Sequence, residues 1–459
     1  MIGYNIFPKK IKWDIDLILC VLLVAITPYS IYDVWARSAT GTSLFQVDWI
    51  VVSLCLARLS FILLDRLGKE NWRMKKAVSF FGPLLLINIY TILPTIIYLN
   101  NIDILEIHAN HDPVRFIISR GIKFTAYLFL SLYISIVLRN SKRIETVIRS
   151  LALGLCILEV LAVLQLFVFQ ISKINLFPIV RTESDGWRYI NSTVSFAGQN
   201  FLRLNSISHE PKGLAALLCL LFIIKIFWEK FNIQFSLDVS NRKIDRYMQK
   251  TLWLTITIAI MTFSNNALLT LSFIISLLIL LGFLSKYNFR IKRTYVISLC
   301  FGIALILLFS IENSDSLSQI FSSFLDATVN RRLGSSASAS ALQGSVDPED
   351  GAVFYILTSH PIFSIFRGFG FGGFSNTSYS FVSLGYGRDQ VSPFSRNILV
   401  ELFFSSGLVG AILAFYFFRK NILHYMLKGS AIHCMFGIFV LNNFFLRSEE
   451  ILFFTSLGI

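Results

Sequence analysis

The sequence predicts an all-α fold, a polytopic integral membrane bundle of about 10–12 spans. It forms one domain over 1–459, with two large polar loops at 172–211 and 312–394 on the extracytoplasmic side. Three observations predict this. Apolar stretches long enough to cross a bilayer, about 20 residues each, recur along the whole chain. Hydrophobic residues make up 55% of the 459 and charged ones only 15%, far from the average of a soluble protein. The polar residues crowd into two of the connections between apolar stretches.

The predicted spans run 16–34, 48–66, 77–99, 116–138, 147–170, 212–229, 251–264, 267–285, 294–311, 395–417, 430–446 and 449–459. Six basic regions fix their orientation: Lys9, Lys10 and Lys12; Arg66, Lys69, Arg73, Lys75 and Lys76; Arg139, Lys142, Arg143 and Arg149; Lys230, Arg242, Lys243, Arg246 and Lys250; Lys286, Arg290, Lys292 and Arg293; and Arg419, Lys420 and Lys428. They fall on alternate connections, so the N-terminus is expected in the cytoplasm and both long polar loops outside. The same alternation marks the net charge of +14 as a membrane signal rather than a nucleic-acid one. The first span is too long, and too poor in small residues at its end, for a cleaved signal, and is expected to be an uncleaved anchor.

Thr251–Ser285 is short for two full spans. Its polar centre, Ser264-Asn265-Asn266, predicts a hairpin of short or tilted helices. A turn at membrane depth must be buried in protein or face a wet cavity. The last segment, after Asn442-Asn443 and Arg447-Ser448-Glu449-Glu450, is expected to be a short span or a re-entrant piece. Pro28, Pro83 and Pro94 are expected to kink their spans. The run Ser335–Ala341 is either a loop or a helix start. All six cysteines sit in or beside apolar segments. This speaks against a disulfide framework, and there is no CxxC metal pattern.

Charged residues inside spans need a partner or a task. The fourth span is long enough only if it takes in Arg120 and Lys123, three apart and so on one face. Such a face suits a lipid phosphate or pyrophosphate, and equally suits snorkelling to the interface. Arg58 and Glu159 are expected to form a buried structural pair.

The candidate site gathers at the extracytoplasmic loops. Arg203, His209 and Glu210 lead into the sixth span; Pro211 suits the first turn of a helix, and Glu210 then sits where a helix N-terminus favours a carboxylate. His209-Glu210-Pro211-Lys212-Gly213 lacks the second histidine of a zinc protease motif. Arg181 and Arg188 lie in the first loop, and Arg331, Arg367 and Arg388 in the second, with Arg396 at its end. Arginine holds phosphate oxygens in bidentate fashion and stays charged at any pH. The run Arg367-Gly-Phe-Gly-Phe-Gly-Gly-Phe374 fits neither a P-loop nor a dinucleotide fingerprint. It reads as a tight turn whose backbone N–H groups are candidates to line an anion site. His108, His111 and Asp112 are weak as a metal set, and no metal is expected.

Three segments together resemble the O-antigen polymerase and ligase superfamily of bacterial envelope glycosyltransferases. They are Arg203-Leu-Asn-Ser-Ile-Ser-His-Glu-Pro211, Thr262-Phe-Ser-Asn-Asn-Ala-Leu-Leu269, and the loop from His360-Pro361 through the glycine turn to Ser395-Arg-Asn-Ile-Leu-Val-Glu401 and Gly407-Leu-Val-Gly410. The second segment has Asn-Asn where that family has Arg-Gly. The family's ligases carry a histidine before the asparagine of the last motif; Arg396 stands there, which favours the polymerase branch. The resemblance implies a GT-C-like helical fold in the bacterial inner membrane and a substrate of undecaprenyl-pyrophosphate-linked oligosaccharide. The reaction would be transfer of the glycan onto a new lipid-linked unit at the periplasmic face, without cofactor or metal. It implies membrane lipids, and a chain-length regulator protein as a further candidate, as partners, and no nucleic acid. Arg203 and Arg396, assisted by Arg120 and Lys123, would hold the pyrophosphate. Glu210, or else His209, would take the acceptor proton, and Arg181, Arg188, Arg331, Arg367 and Arg388 would contact glycan or phosphate. A ligase acting on lipid A core and a flippase for lipid-linked sugars are the rival expectations.

Overall fold

The computed structural model describes residues 14–26, 47–65, 72–99, 113–138, 141–177, 179–183, 186–190, 193–196, 199–207, 211–234, 242–284, 362–373, 398–428 and 431–445. They are mainly helical: α1 (Ile15–Ile26), α2 (Val47–Asp65), α3 (Trp72–Leu99), α4 (Pro113–Val137), α5 (Ser141–Ser172), α6 (Pro211–Gln234), α7 (Arg242–Lys250), α8 (Leu252–Met261), α9 (Asn265–Leu284), α10 (Ile362–Arg367), α11 (Ile398–Phe417), α12 (His424–Lys428) and α13 (Ala431–Phe445). A π-helical turn, Phe418–Leu423, joins α11 to α12. Among the described residues four helical stretches are long and apolar enough to cross a membrane: Ser79–Ile97, Ile117–Val137, Lys142–Ser172 and Ile398–Leu423. The expected spans at 294–311 and 449–459, Pro28, the 335–341 run and most of 312–394 lie outside the described residues.

Local chemistry starts and ends these helices where the sequence allows. The Asp14 carboxylate accepts the Leu17 N–H at 2.9 Å, an N-cap for α1. Pro113 and Pro211 open α4 and α6, where a missing N–H costs nothing. Helix α3 continues through Pro83 and Pro94. The short pair α8–α9 is the expected hairpin, and its turn is buried in protein: Thr262, Phe263 and Ser264 are all shielded.

Side-chain contacts sort the helix ends. Asp16, near the start of α1, accepts from Arg58 late in α2 (2.8 Å) and from the Tyr133 hydroxyl late in α4 (3.0 Å). Asp14 pairs with Arg143 at the start of α5. These groups define one end of the bundle. The start of α4 and the end of α5 therefore lie at the other, called here the site end; the end of α3 joins them, since Asn88 bonds Thr125 and Thr95 meets the Phe371 that packs on Phe124, and so does the start of α11, because Asn421 beyond its far end donates to the Phe80 carbonyl early in α3.

The expected pairing of Arg58 with Glu159 is not what forms. Arg58 belongs to Asp16, while Glu159 is fully buried with Lys225 of α6 at 2.8 Å. Topology explains the difference: α2 contacts α1 and α4, whereas α5 packs on α6. The Lys225 ammonium donates to both Glu159 oxygens (3.0 and 2.8 Å), to the Thr251 hydroxyl and carbonyl (2.8 and 3.2 Å) and to the Thr255 hydroxyl (2.8 Å). Thr255 and Tyr247 donate in turn to Glu159, Tyr247 at 2.6 Å. Burial and the Glu159 carboxylate push the Tyr247 phenol above its ordinary range, so it stays a donor. This cage ties α5, α6, α7 and α8 together.

The 172–211 connection, expected as loop within an all-α chain, contains two β-hairpins. β1 (Ile179–Glu183) pairs antiparallel with β2 (Gly186–Ile190), and β3 (Thr193–Phe196) with β4 (Gln199–Leu202). Both are two-stranded ribbons.

Candidate functional site

A cavity of about 30 Å³ opens at the site end between α3, α4 and α11. Thr91, Arg120, Lys123, Phe124, Tyr127, Phe371, Gly372, Glu401, Leu402 and Ser405 line it. The basic pair expected on the fourth span therefore faces a shared cavity. At 1.5 Å per residue Arg120 lies about 10 Å in from the start of α4, and Lys123 one turn deeper. Glu401 and Ser405 are spaced in the same way on α11, the Ser405 hydroxyl donating to Glu401 at 3.4 Å. Lys123 stands over the Tyr127 ring at 5.6 Å, a cation–π contact.

One wall of the cavity is the glycine turn, and α11 is broken to receive it. Gly407 has φ 66° and ψ −163°, which interrupts the helix. The interruption leaves the carbonyls of Phe404 and Ser405 available, and they accept the N–H groups of Phe369 (2.8 Å) and Gly370 (2.9 Å). Phe371 N–H donates to Thr95 Oγ1 at 2.9 Å. Gly370 has φ +85°, and a Cβ there would lie 2.5 Å from the Thr95 Cα; only glycine meets both demands. The expectation that the N–H groups of this turn line an anion site is corrected for residues 369–371. Those three are spent on α11 and α3, and the turn holds the wall.

Arg203 does not line this cavity. It is half-buried on the segment before α6, and its Nε donates to the Thr262 carbonyl at 3.2 Å. Two of the three segments singled out in the sequence, 203–211 and 262–269, therefore meet. The surrounding backbone is held by one buried amide: Gln165 Oε1 accepts from Asn205 N–H (3.3 Å) and Ser206 N–H (2.8 Å), and Gln165 Nε2 donates to Asn205 Oδ1 (2.8 Å). Ser206 Oγ reaches the Leu158 carbonyl at 3.2 Å. Ser206 and Phe263 have φ of 51° and 46°, a conformation that costs a non-glycine residue about 1–2 kcal/mol and persists only where neighbours enforce it.

Arg367 ends α10 half-buried, its Nε donating to the Gly368 carbonyl at 3.5 Å. The Cα atoms of Arg181 and Arg188 face each other in the first hairpin. His209, Glu210, Arg331, Arg388 and Arg396 lie outside the described residues, as do His108, His111 and Asp112. Among the described residues no group of three or more His, Cys, Asp or Glu side chains is arranged to hold a metal ion, and Cys20, Cys55, Cys156, Cys219 and Cys434 are free thiols. The Oδ1 atoms of Asn442 and Asn443 are buried with no hydrogen-bond partner among the described residues.

Sequence reasoning missed Glu401 and Ser405 as site residues. The signal was a lone carboxylate one turn into an apolar helix. It also missed Lys225, a single lysine in the middle of an apolar span. No protein-family model matches this sequence, and no curated protein matches it.

Proposed function

We propose that the protein is a glycosyltransferase of the O-antigen polymerase kind, joining undecaprenyl-pyrophosphate-linked oligosaccharide units at the periplasmic face of the bacterial inner membrane. One observation carries this reading: Arg120 and Lys123, cations inside a helix that must cross the membrane, share a cavity at the site end with the glycine turn and the start of α11. A charge at that depth is retained only for a partner or a task, and a phosphate tethered to a lipid brings its own negative charge to this level. The alternation of basic regions supports a cytoplasmic N-terminus and an outward-facing site.

In the proposed reaction a hydroxyl oxygen of the acceptor sugar bonds to the anomeric carbon of the donor glycan. The bond from that carbon to the pyrophosphate oxygen breaks, its electron pair leaving with the lipid pyrophosphate, and the hydroxyl proton passes to a base. Arg120 and Lys123 meet the developing charge of the leaving group, where fixed cations lower a barrier most. Arg203, held outside that cavity by the Thr262 carbonyl, and Arg396 are the further cations assigned to the pyrophosphate. Glu210 takes the proton, with His209 as the alternative. No nucleotide sugar enters this scheme, and a chain-length regulator protein fits as a partner.

The test is turnover by the purified protein, reconstituted in proteoliposomes, with a synthetic lipid-pyrophosphate-linked repeat unit. A ladder of longer lipid-linked glycans is expected. Absence of any elongated product in vesicles that hold folded protein overturns the reading; transfer onto a lipid A core acceptor instead assigns the ligase reaction.

A further inference from the structure

We infer that the outward face of α7 binds an anionic phospholipid, and that Arg246 and Lys250 hold its headgroup. The inference does not rest on the proposed reaction, and it concerns elements that do not line the cavity.

Helix α7 has two unlike sides. The inward side is docked. The Tyr247 hydroxyl donates to Glu159 at 2.6 Å, Lys225 stands over the Tyr247 ring at 4.9 Å, and the buried Met248 sulfur lies 3.4 Å from the Cys156 sulfur. The outward side is basic. Arg246, Gln249 and Lys250 are exposed, and a spacing of four puts Arg246 and Lys250 on one face. Neither takes part in an ion pair among the described residues. Over its nine residues α7 has four basic positions, Arg242, Lys243, Arg246 and Lys250, against one acid, Asp245. Basic clusters of that size on an amphipathic helix suit acidic lipid.

Depth turns this face from a solvated surface into a site. A charged helix on the water side needs no partner. Helix α7 instead leans on the middle of α5, where it meets Cys156 and Glu159. Beside those two residues Leu153, Ile157 and Val160 are 50%, 46% and 51% exposed. Apolar side chains so open on a helix long enough to span face lipid. The α7 cations therefore stand at the edge of an oil-facing wall, where a charge is costly without a counter-charge. Snorkelling relieves part of that cost, but Tyr247 and Met248 pin the helix and limit how far its cations reach.

The counter-charge that this place offers is a lipid phosphate, an anion that arginine holds well. A zwitterionic headgroup already balances its phosphate with its own ammonium. An anionic headgroup leaves net charge for the two cations, while its acyl chains lie against Leu153, Ile157 and Val160.

The experiment measures lipid binding, not turnover. Purified full-length protein in detergent is titrated with dioleoylphosphatidylglycerol and with dioleoylphosphatidylcholine. Affinities are read from lipid-induced shifts in thermal unfolding. The wild type is expected to prefer phosphatidylglycerol about twentyfold, each cation contributing about fivefold. In Arg246→Gln with Lys250→Gln, two changes at exposed helical positions, the preference should nearly vanish. Removing the same two charges elsewhere, as Arg419→Gln with Lys420→Gln on the exposed side of the π-helical turn, should leave it unchanged. A wild type without preference overturns the inference. So does a preference that survives in the Arg246 and Lys250 variant. An equal fall in the Arg419 and Lys420 variant also overturns it, as diffuse attraction between a basic protein and acidic lipid. A wild-type dimer that ignores phosphatidylglycerol and is split by the Arg246 and Lys250 changes overturns it too, and gives the face to a second copy.

Discussion

Replacing Lys225 by methionine removes one partner of a fully buried ion pair and leaves the other in place. The cage quantifies what is lost. The ammonium makes five contacts of 2.8–3.2 Å, two to Glu159, two to Thr251 and one to Thr255. Methionine fills most of the space but supplies no charge, so Glu159 keeps only the neutral donors Tyr247 and Thr255. Stranding a buried charge in this way costs about 3–5 kcal/mol. Removing both charges by Lys225→Met with Glu159→Gln is expected to return the stability to within about 1–2 kcal/mol of the parent, because isosteric replacement of a whole buried pair is often neutral. The assay is equilibrium denaturation of the detergent-solubilised protein, analysed as a double-mutant cycle. A neutral single substitution, or two single effects that simply add in the double variant, would refute the assignment of Lys225 and Glu159 as a coupled pair.

Other substitutions test the site end. Gly370→Ala combines a positive φ with a Cβ 2.5 Å from the α3 backbone and is expected to cost at least about 2 kcal/mol. Gly82→Ala, with nothing within 4 Å, should be neutral or slightly stabilising in the same denaturation assay. Gln165→Leu leaves the buried N–H groups of Asn205 and Ser206 without their acceptor; a loss of about 2–5 kcal/mol is expected, together with faster hydrogen exchange confined to the 203–207 amides. Arg120→Gln and Lys123→Gln should each lower glycan elongation about 10²-fold in the proteoliposome assay; unchanged elongation by the folded variant removes that residue from the clamp.

The sequence carried the helical, membrane-spanning character and the basic pair, and for one reason: spans obey a length rule. Because Thr125–Leu138 alone is too short to cross, the helix had to take in Arg120 and Lys123, and a cavity now receives both. Pair identities were less legible. Arg58 and Glu159 both sit mid-span, and nothing in their local sequence says that α1 supplies Asp16 to one and α6 supplies Lys225 to the other; that depends on which helices are neighbours. The strand pairs did leave a local trace, in residues of strand-forming type such as Ile179, Val180, Trp187, Tyr189 and Val194, but the polarity of the segment masked it. Glu401 was invisible as chemistry because a single carboxylate acquires meaning only from the helix opposite.

The short helix α8 cannot cross a membrane alone. Its ten residues rise only about 15 Å, half of a hydrocarbon core about 30 Å thick, while Asn205 and Ser206 lie beside it and meet Gln165 and the Leu158 carbonyl. Every residue of α8 is buried or half-buried, so protein rather than oil walls in the irregular backbone at 204–206, the one setting in which unpaired peptide groups below a membrane surface are tolerable.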